Sequence, residues 1–567
     1  MFAAVEREGV EYVFGVPGSA ITPLYESLRA KGTPKHILAK HEGGAAFMAG
    51  GYARVKGNLG VCMTTTGPGA TNAITGVAAA MADSTPLLIL TGQNATKGFG
   101  RSPLQDSTRL GADTVGLFSH ATKLSVAIPS GERANDMIDR AVRCAMSGRP
   151  GPVHVSLPVD VQQQPVPPIR KRGTAYVRTF GPDPAALAEA ARLIADAKQP
   201  AILAGHGVAI SGAHAALLDL AVHFGIPVAS TPKGKGVFPE NHPLSLGVFG
   251  FGGQLRAEAY LLGTEVDVLV VVGTSLGELQ TNNWDERLQP KHALIQIDID
   301  PNEIGKNYPV DVGIVGDARL VLQKLVPRRR PGAKAKLPRE RVGLKWGEPP
   351  PSTLNGKLDG ILKPPRVVRE MRAVMPDDGL LFVDNGNSII WATHYFEARQ
   401  PGTVFLSLGF ASMGNGVAAA IGGQLAAPTR PVVALVGDAA FMMNGTEVHT
   451  AVEHNVPVVW VVLNNSGHGM VYHGERMLYG HDLGANKYQT RVDFAGMARA
   501  MGARGTVART PREFRSALES ALTQRVPTVI DAHVDPDDVP EPLVHRARAV
   551  ARAIENQPIS RRSPWTT

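Results

Sequence analysis

Cysteine is nearly missing from this chain. Cys62 and Cys144 are the two cysteines among 567 residues, with no CxxC pair and no metal-ligand spacing. This excludes a disulfide-stapled scaffold and a cysteine-based zinc site, and it suits a reducing compartment. No run of eighteen apolar residues occurs, so no transmembrane helix is expected. Residues 1–8 lack the basic start and apolar centre of a signal peptide, so a soluble, cytoplasmic protein is expected. Acidic residues are only mildly scarce: 50 against 58 Lys and Arg, a net charge of +8. The basic surplus gathers at Arg328-Arg329-Arg330 through Arg341 and at Arg546 through Arg562, which read as solvated linker and tail. No nucleic-acid motif accompanies it, so no nucleic-acid partner is expected. Apolar residues make up 44% of the chain, while Gly (62) and Pro (43) are dispersed as turn formers. These values fit a globular enzyme of three or four domains.

Residues 432–471 organise the rest. An apolar run, Val432 to Val436, ends in Gly437-Asp438; a helix is expected from Gly445 to His454; a second run, Val456 to Leu463, ends in Asn464-Asn465. This is a β-α-β pattern with parallel strands, whose ends open on one sheet edge. Asp438 and Asn465, 27 positions apart, should therefore meet. A carboxylate and an amide oxygen are hard ligands that Mg²⁺ accepts beside phosphate oxygens. Similar units recur from the start of the chain, with strands expected near Tyr12, Lys35, Val61 and Pro86. Others follow near Ala201, Val266, Ala293 and Leu380. The expected fold class is α/β, three doubly wound parallel-sheet domains at 1–160, 183–326 and 361–540. Linkers are expected at 161–182 and 327–360, and a tail at 541–567.

The Gly437-Asp438 to Asn464-Asn465 stretch resembles the diphosphate-binding motif of thiamine diphosphate (ThDP) enzymes. Ala439 stands where that family has glycine, which matters only if the residue needs positive φ. FGVPG, HEGGAA, GYAR, TTGPGATN and PLLILTGQ are similar to the pyrimidine-binding domain of acetolactate synthase-type enzymes, and the resemblance spans roughly residues 5–540. It implies that Asp438, Asn465 and the Gly467 carbonyl hold Mg²⁺. Glu42 would contact N1′ of the aminopyrimidine, favouring the imino tautomer whose nitrogen accepts the C2 proton. Read on its own, Glu42 equally suits the first turn of a helix, whose dipole it complements. The resemblance further implies cofactor contacts from Gly69, Asn72, Gly386, Asn387, Ser388, Gly437, Ala439, Ala440 and Met470, with Met413 supporting the bent cofactor.

Substrate contacts implied by the resemblance are Gln105, Lys123, His468, His473 and Gly474. Relatives carry Gln-Trp-Gln where this chain has His473-Gly474-Glu475; loss of the indole implies an acceptor larger than pyruvate, unless another residue such as Tyr472 or Leu478 refills the space. FAD occurs in some members' central domain. Gly273 to Leu279 lacks the arginine- and aspartate-rich pattern of those members, which counts against FAD here. The expected reaction is decarboxylation of a 2-oxo acid such as pyruvate and ligation of the remaining acyl unit to a second carbonyl. The alternatives are a non-ligating 2-oxo acid decarboxylase and a noncatalytic regulatory protein of the same fold. The family builds its sites between chains, so the resemblance implies a homodimer or homotetramer. The expected partners are small molecules, without nucleic acid or membrane.

Overall fold

The computed structural model describes residues 2–167, 180–263, 266–326 and 360–544. The expected linkers fall largely outside these residues, as does nearly all of the tail at 541–567. Three six-stranded sheets, all parallel, form the described chain. The first contains β1 (Tyr12–Val16), β2 (Lys35–Leu38), β3 (Gly60–Thr64), β4 (Leu87–Gln93), β5 (Leu124–Ala127) and β6 (Pro152–Pro158), in the order β2-β1-β3-β4-β6-β5.

The second sheet contains β7 (Ala201–Ala204), β8 (Val228–Ser230), β9 (Ser245–Val248), β10 (Val268–Val272), β11 (Ala293–Asp298) and β12 (Val312–Val315). Its order, β12-β11-β10-β7-β8-β9, is the doubly wound dinucleotide-fold order, with its switch point between β7 and β10. The third contains β13 (Leu380–Val383), β14 (Val404–Leu406), β15 (Val432–Gly437), β16 (Val458–Asn464), β17 (Arg504–Ala508) and β18 (Thr528–His533). Its order, β14-β13-β15-β16-β18-β17, repeats that of the first sheet. The central strands of all three are Val-, Ile- and Leu-rich and buried along their length, as parallel strands covered on both faces require.

The first and third domains share one core. Helix Glu42–Lys56 packs along helix Asn415–Ala426, and both are built mainly of glycine and alanine. The contact is backbone to backbone. A Cβ on Gly51 would lie 2.1 Å from the Ala419 carbonyl oxygen, and one on Gly422 would lie 1.9 Å from that of Met48. Small residues are what this crossing demands, and it fixes the helix that starts with Glu42 against the helix that follows Met413.

One local expectation needs correction. The helix after β15 starts at Asp438, not near Gly445, and runs as two pieces, Asp438–Asn444 and Glu447–Glu453. Asp438 occupies the first turn, where its carboxylate complements the helix dipole and accepts the Ala439 N–H at 2.8 Å. Ala439 is therefore helical and not among the residues with positive φ, so alanine costs nothing there.

Candidate active site

The register of β15 on β16 pairs Gly437 with Leu463, so Asp438 and the Asn465–Gly467 turn leave the sheet side by side. Asp438 is 1% exposed, and its Oδ2 accepts the Gly467 N–H at 3.0 Å. Burial pushes its carboxyl up to about 6, opposed only by backbone N–H groups of Gly467, Ala439, Ser466 and Asn465. Among the described residues no side-chain cation pairs with this buried carboxylate, which is the environment a divalent ion would complete. The turn itself is held open. Ser466 and Gly467 have φ of 64° and 155°, and Gly467 bridges to Lys487, where any Cβ would lie 2.3 Å from the Asn486 carbonyl oxygen. Asn465 packs over Gly469, where a Cβ would lie 2.3 Å from its Nδ2.

Beyond β13, Gly386 has φ 113° and precedes helix Asn387–Tyr395. A positive-φ glycine before a helix leaves free N–H groups facing outward, a cradle suited to phosphate. Asn387, Ser388, Met413, Gly437, Asp438, Ala439, Ala440, Asn465, Gly467, His468 and Met470 line one cavity of about 460 Å³ together with Gly386. The expected diphosphate, metal and cofactor-supporting residues are thus brought together. Its remaining wall combines apolar side chains, including Leu408, Trp391, Val471 and, from the central domain, Phe251 and Leu279, with the polar Asn385, Asp535 and Asp538. Asp384, which the sequence reading passed over, ties this region together from behind. It accepts N–H bonds from Asn385 (2.7 Å), Gly414 (2.9 Å) and Val417 (3.2 Å). Burial pushes it up to about 6.

Glu42 begins its helix, and its Oε2 accepts from Asn72 Nδ2 at 2.9 Å. Gly69 sits beside both: a Cβ there would lie 2.7 Å from Thr65 and 3.4 Å from Glu42 Oε1. Glu42 is half-buried and Asn72 is exposed, so this pair opens outward from the chain. No residue of the first domain lines the 460 Å³ cavity. A second residue missed in the sequence, Glu447, holds the approach to Glu42. It is fully buried and accepts the His41 N–H at 3.0 Å and the Lys40 N–H at 3.1 Å and 3.2 Å. It also accepts from Thr450 Oγ1 at 2.7 Å.

Among the five expected substrate residues, only His468 and His473 reach the cavity wall. Gln105 is exposed, with φ 55°, and lies over Gly67, where a Cβ would meet its own at 2.9 Å. Lys123 has a different task from the one expected. Its Nζ donates to the carbonyls of Cys144 (2.5 Å), Ser147 (2.9 Å) and Arg149 (2.8 Å), closing the end of helix Gly131–Met146. A lysine so engaged neutralises orphan helix carbonyls and has no hydrogen left for substrate. His473, expected at the substrate, has both ring nitrogens engaged, by Asn387 and the Pro536 carbonyl, and so offers substrate neither. Gly474 does not line the cavity, but a Cβ there would meet nothing within 4 Å. It lies on helix Gly469–Tyr479, one turn beyond Met470 and Val471, which do line the cavity.

A second cavity, of about 520 Å³, lies at the switch point of the central sheet. His206, Gly207, Lys233, Gly273 and Asp298 line it, with Arg54 and Arg149 from the first domain. Doubly wound sheets bind nucleotides at this position. Among the described residues, no helix is long and apolar enough to cross a membrane. No group of three His, Cys, Asp or Glu side chains among them could hold a metal. The set at Asp438, with one carboxylate, one amide and one carbonyl, is of another kind.

Two sheets of one topology, with a dinucleotide-type sheet between them in chain order, match the three-domain plan of a ThDP-dependent enzyme. Family models agree: the thiamine pyrophosphate enzyme N-terminal TPP binding domain matches residues 1–114, the central domain 187–325 and the C-terminal TPP binding domain 384–532. The chain is 37% identical over 558 residues to a probable acetolactate synthase large subunit of Methanococcus aeolicus, covering 94% of this chain and 91% of that protein. It is 37% identical over 551 residues to the Methanocaldococcus jannaschii protein of the same description, with the same coverage. An acetolactate synthase of Arthrospira platensis is 35% identical over 556 residues, covering 95% of this chain and 94% of that protein. The chain belongs to the thiamine pyrophosphate enzymes, on the branch that carries the acetolactate synthase large subunits.

Proposed function

We propose that this enzyme decarboxylates a 2-oxo acid and joins the remaining acyl unit to a second carbonyl, with Mg²⁺ and ThDP bound. The observation that carries the reading is the match along 94% of the chain to acetolactate synthase large subunits. The Glu42–Asn72 hydrogen bond and the cavity shared by Asp438 and Asn465 support it. Bound ThDP supplies an electron sink for loss of CO₂ and a nucleophilic acyl carbon for attack on the acceptor. Asp438, the Asn465 amide and the Gly467 carbonyl are the residues to hold Mg²⁺, and the N–H groups after Gly386 would receive the diphosphate. Glu42, oriented by Asn72, holds a proton at the pyrimidine ring. The apolar side chains of Leu408, Trp391, Met470 and Val471 would shield the reacting carbon from water once the site is closed.

The acceptor is the finer point. At the position where relatives carry tryptophan, Gly474 leaves open space. In an apolar pocket one methylene changes discrimination by about 1–3 kcal/mol, so a whole indole can decide what enters. The proposal is an acceptor larger than pyruvate. FAD is not part of it, since Gly273 to Leu279 lacks the charged pattern of flavin-holding relatives. The cavity of the third domain contains no residue of the first, which supports a site completed by a second chain.

The test is product analysis by mass spectrometry across donor and acceptor carbonyls, with small and bulky acceptors in competition. Wild type is expected to yield the bulky product, and Gly474→Trp to lose it selectively. CO₂ release without any ligated product would move the assignment to a simple decarboxylase. Loss of both products together, or of neither, would remove Gly474 from the acceptor pocket.

A further inference from the structure

His473 decides which way a neighbouring amide faces. The residue is 3% exposed, and its Nε2 lies 2.8 Å from the Pro536 carbonyl oxygen. A carbonyl can only accept, so Nε2 carries the proton. Burial holds the ring below the usual histidine range, so the imidazole is neutral and Nδ1 keeps a lone pair. Nδ1 lies 2.9 Å from Asn387 Nδ2. The amide must therefore present its NH₂ to the ring, which turns its Oδ1 the other way. That oxygen is buried and has no partner, and Asn387 lines the 460 Å³ cavity beside Asp438 and Asn465. A buried acceptor without a donor is costly unless a ligand supplies one.

We infer that His473 is a positioning residue for the metal–diphosphate end of the cofactor site, acting through Nδ1 to fix the Asn387 amide so that its Oδ1 is left as the acceptor for that group. The inference rests on the reading of this cavity as the Mg²⁺–ThDP site. A diphosphate has no donor at neutral pH, whereas a hydrated divalent cation carries donors in its water. The arrangement therefore favours the metal-loaded, hydrated group over free diphosphate. It also explains why a histidine in the cavity wall has no nitrogen to offer substrate: both are spent on orientation.

Two substitutions separate the two ring nitrogens. The side-chain oxygen of His473→Asn reaches about where Nδ1 sits and keeps an acceptor toward Asn387, while the Pro536 bond is lost. The amide nitrogen of His473→Gln reaches about where Nε2 sits and keeps the Pro536 bond, while Asn387 is released. The readout is Mg²⁺ affinity at saturating ThDP by titration calorimetry, with folding checked by circular dichroism. His473→Gln is expected to weaken Mg²⁺ binding about tenfold or more, the effect of one unmet buried polar group. His473→Asn is expected to stay within about threefold of wild type on the same reasoning. Asn387→Ala, which removes the acceptor, should weaken binding at least as much as His473→Gln. The reverse order of the two His473 variants would overturn the inference, leaving only a tether to Pro536. Equal losses in both, no loss in either, or wild-type affinity in Asn387→Ala would overturn it as well. A wild type that binds no ThDP in the presence of Mg²⁺ would instead overturn the cofactor reading.

Discussion

Glu447 offers the sharpest test of how the third domain supports chemistry in the first. Its carboxylate is buried and receives the backbone N–H groups of Lys40 and His41, the two residues just before Glu42. Replacing it with leucine strands two donors at a domain interface. Each unmet donor costs about 1–3 kcal/mol, so the gross loss is about 2–6 kcal/mol. Part is returned, because burial already penalises the ionised carboxylate and raises its pKa. A net destabilisation of about 2–4 kcal/mol is expected for Glu447→Leu. Glu447→Gln keeps one acceptor oxygen and should lose about half as much.

The assay is hydrogen exchange by mass spectrometry over residues 35–50, with urea unfolding alongside. Faster exchange should be confined at first to the segment before Glu42. Because Glu42 directly follows His41, exchange of the C2 proton of bound ThDP should also slow, though less than in Glu42→Gln. Unchanged exchange in that segment, with stability within about 0.5 kcal/mol of wild type, would show that the interdomain clamp does not operate.

Glu42→Gln keeps shape but removes the carboxylate, so C2–H exchange of bound ThDP, read by NMR after acid quench, should slow by orders of magnitude while ThDP still binds. Asp438→Ala should abolish Mg²⁺-dependent ThDP binding in calorimetry, because diphosphate charge loses its bridge to the protein. Asp384 gives a pH signature. Its folded-state pKa is raised from 3.8 to about 6, so the stability it permits is fully present below pH 3.8 and is lost as pH rises through about 6. Asp384→Asn should remove that slope, worth up to about 3 kcal/mol, in urea titrations compared at pH 4 and pH 7.

The sheets were legible because their strands are short β-branched runs ending in glycine or polar turns: β7 spans the expected Ala201–Ala204, and β15 and β16 shift by two residues at most. Asp438 and Asn465 could be paired because parallel register is a rule of the β-α-β unit. The helix boundary was missed because Ala439 to Met443 is a short apolar run with no helical periodicity of its own, and only the dipole-favoured Asp438 marks the helix start. Lys123 was misread because a lysine beside a strand has no local sign that three carbonyls at and just beyond the end of a later helix will converge on it. Glu447 and Asp384 escaped for the same reason. Their partners lie 406 and 30 positions away, and a lone acid in a helix or at a strand end usually faces solvent. Gly51 and Gly422 carry a similar lesson: their need for glycine exists only where two helices from different domains touch.

Assembly follows from where the halves of the site face. Glu42 must exchange a proton with a ring nitrogen, and water at that point would compete for it. In the single chain Glu42 is only half-buried and Asn72 is exposed. The same chain's residues proposed to hold metal and diphosphate line a cavity to which the first domain contributes nothing. The two half-sites cannot close on each other by local adjustment, because helices Glu42–Lys56 and Asn415–Ala426 are locked backbone to backbone at Gly51 and Gly422. On the proposed function each half takes its complement from a second copy, and a two-fold arrangement would supply both at once. The expected species in light scattering is a dimer or a dimer of dimers, with activity falling on dilution as chains separate. The Glu42 side chain should become protected on assembly, while Gly51 stays buried in either state. A monomer that retains full activity at high dilution would refute this, and would require Glu42 to find its cofactor within one chain.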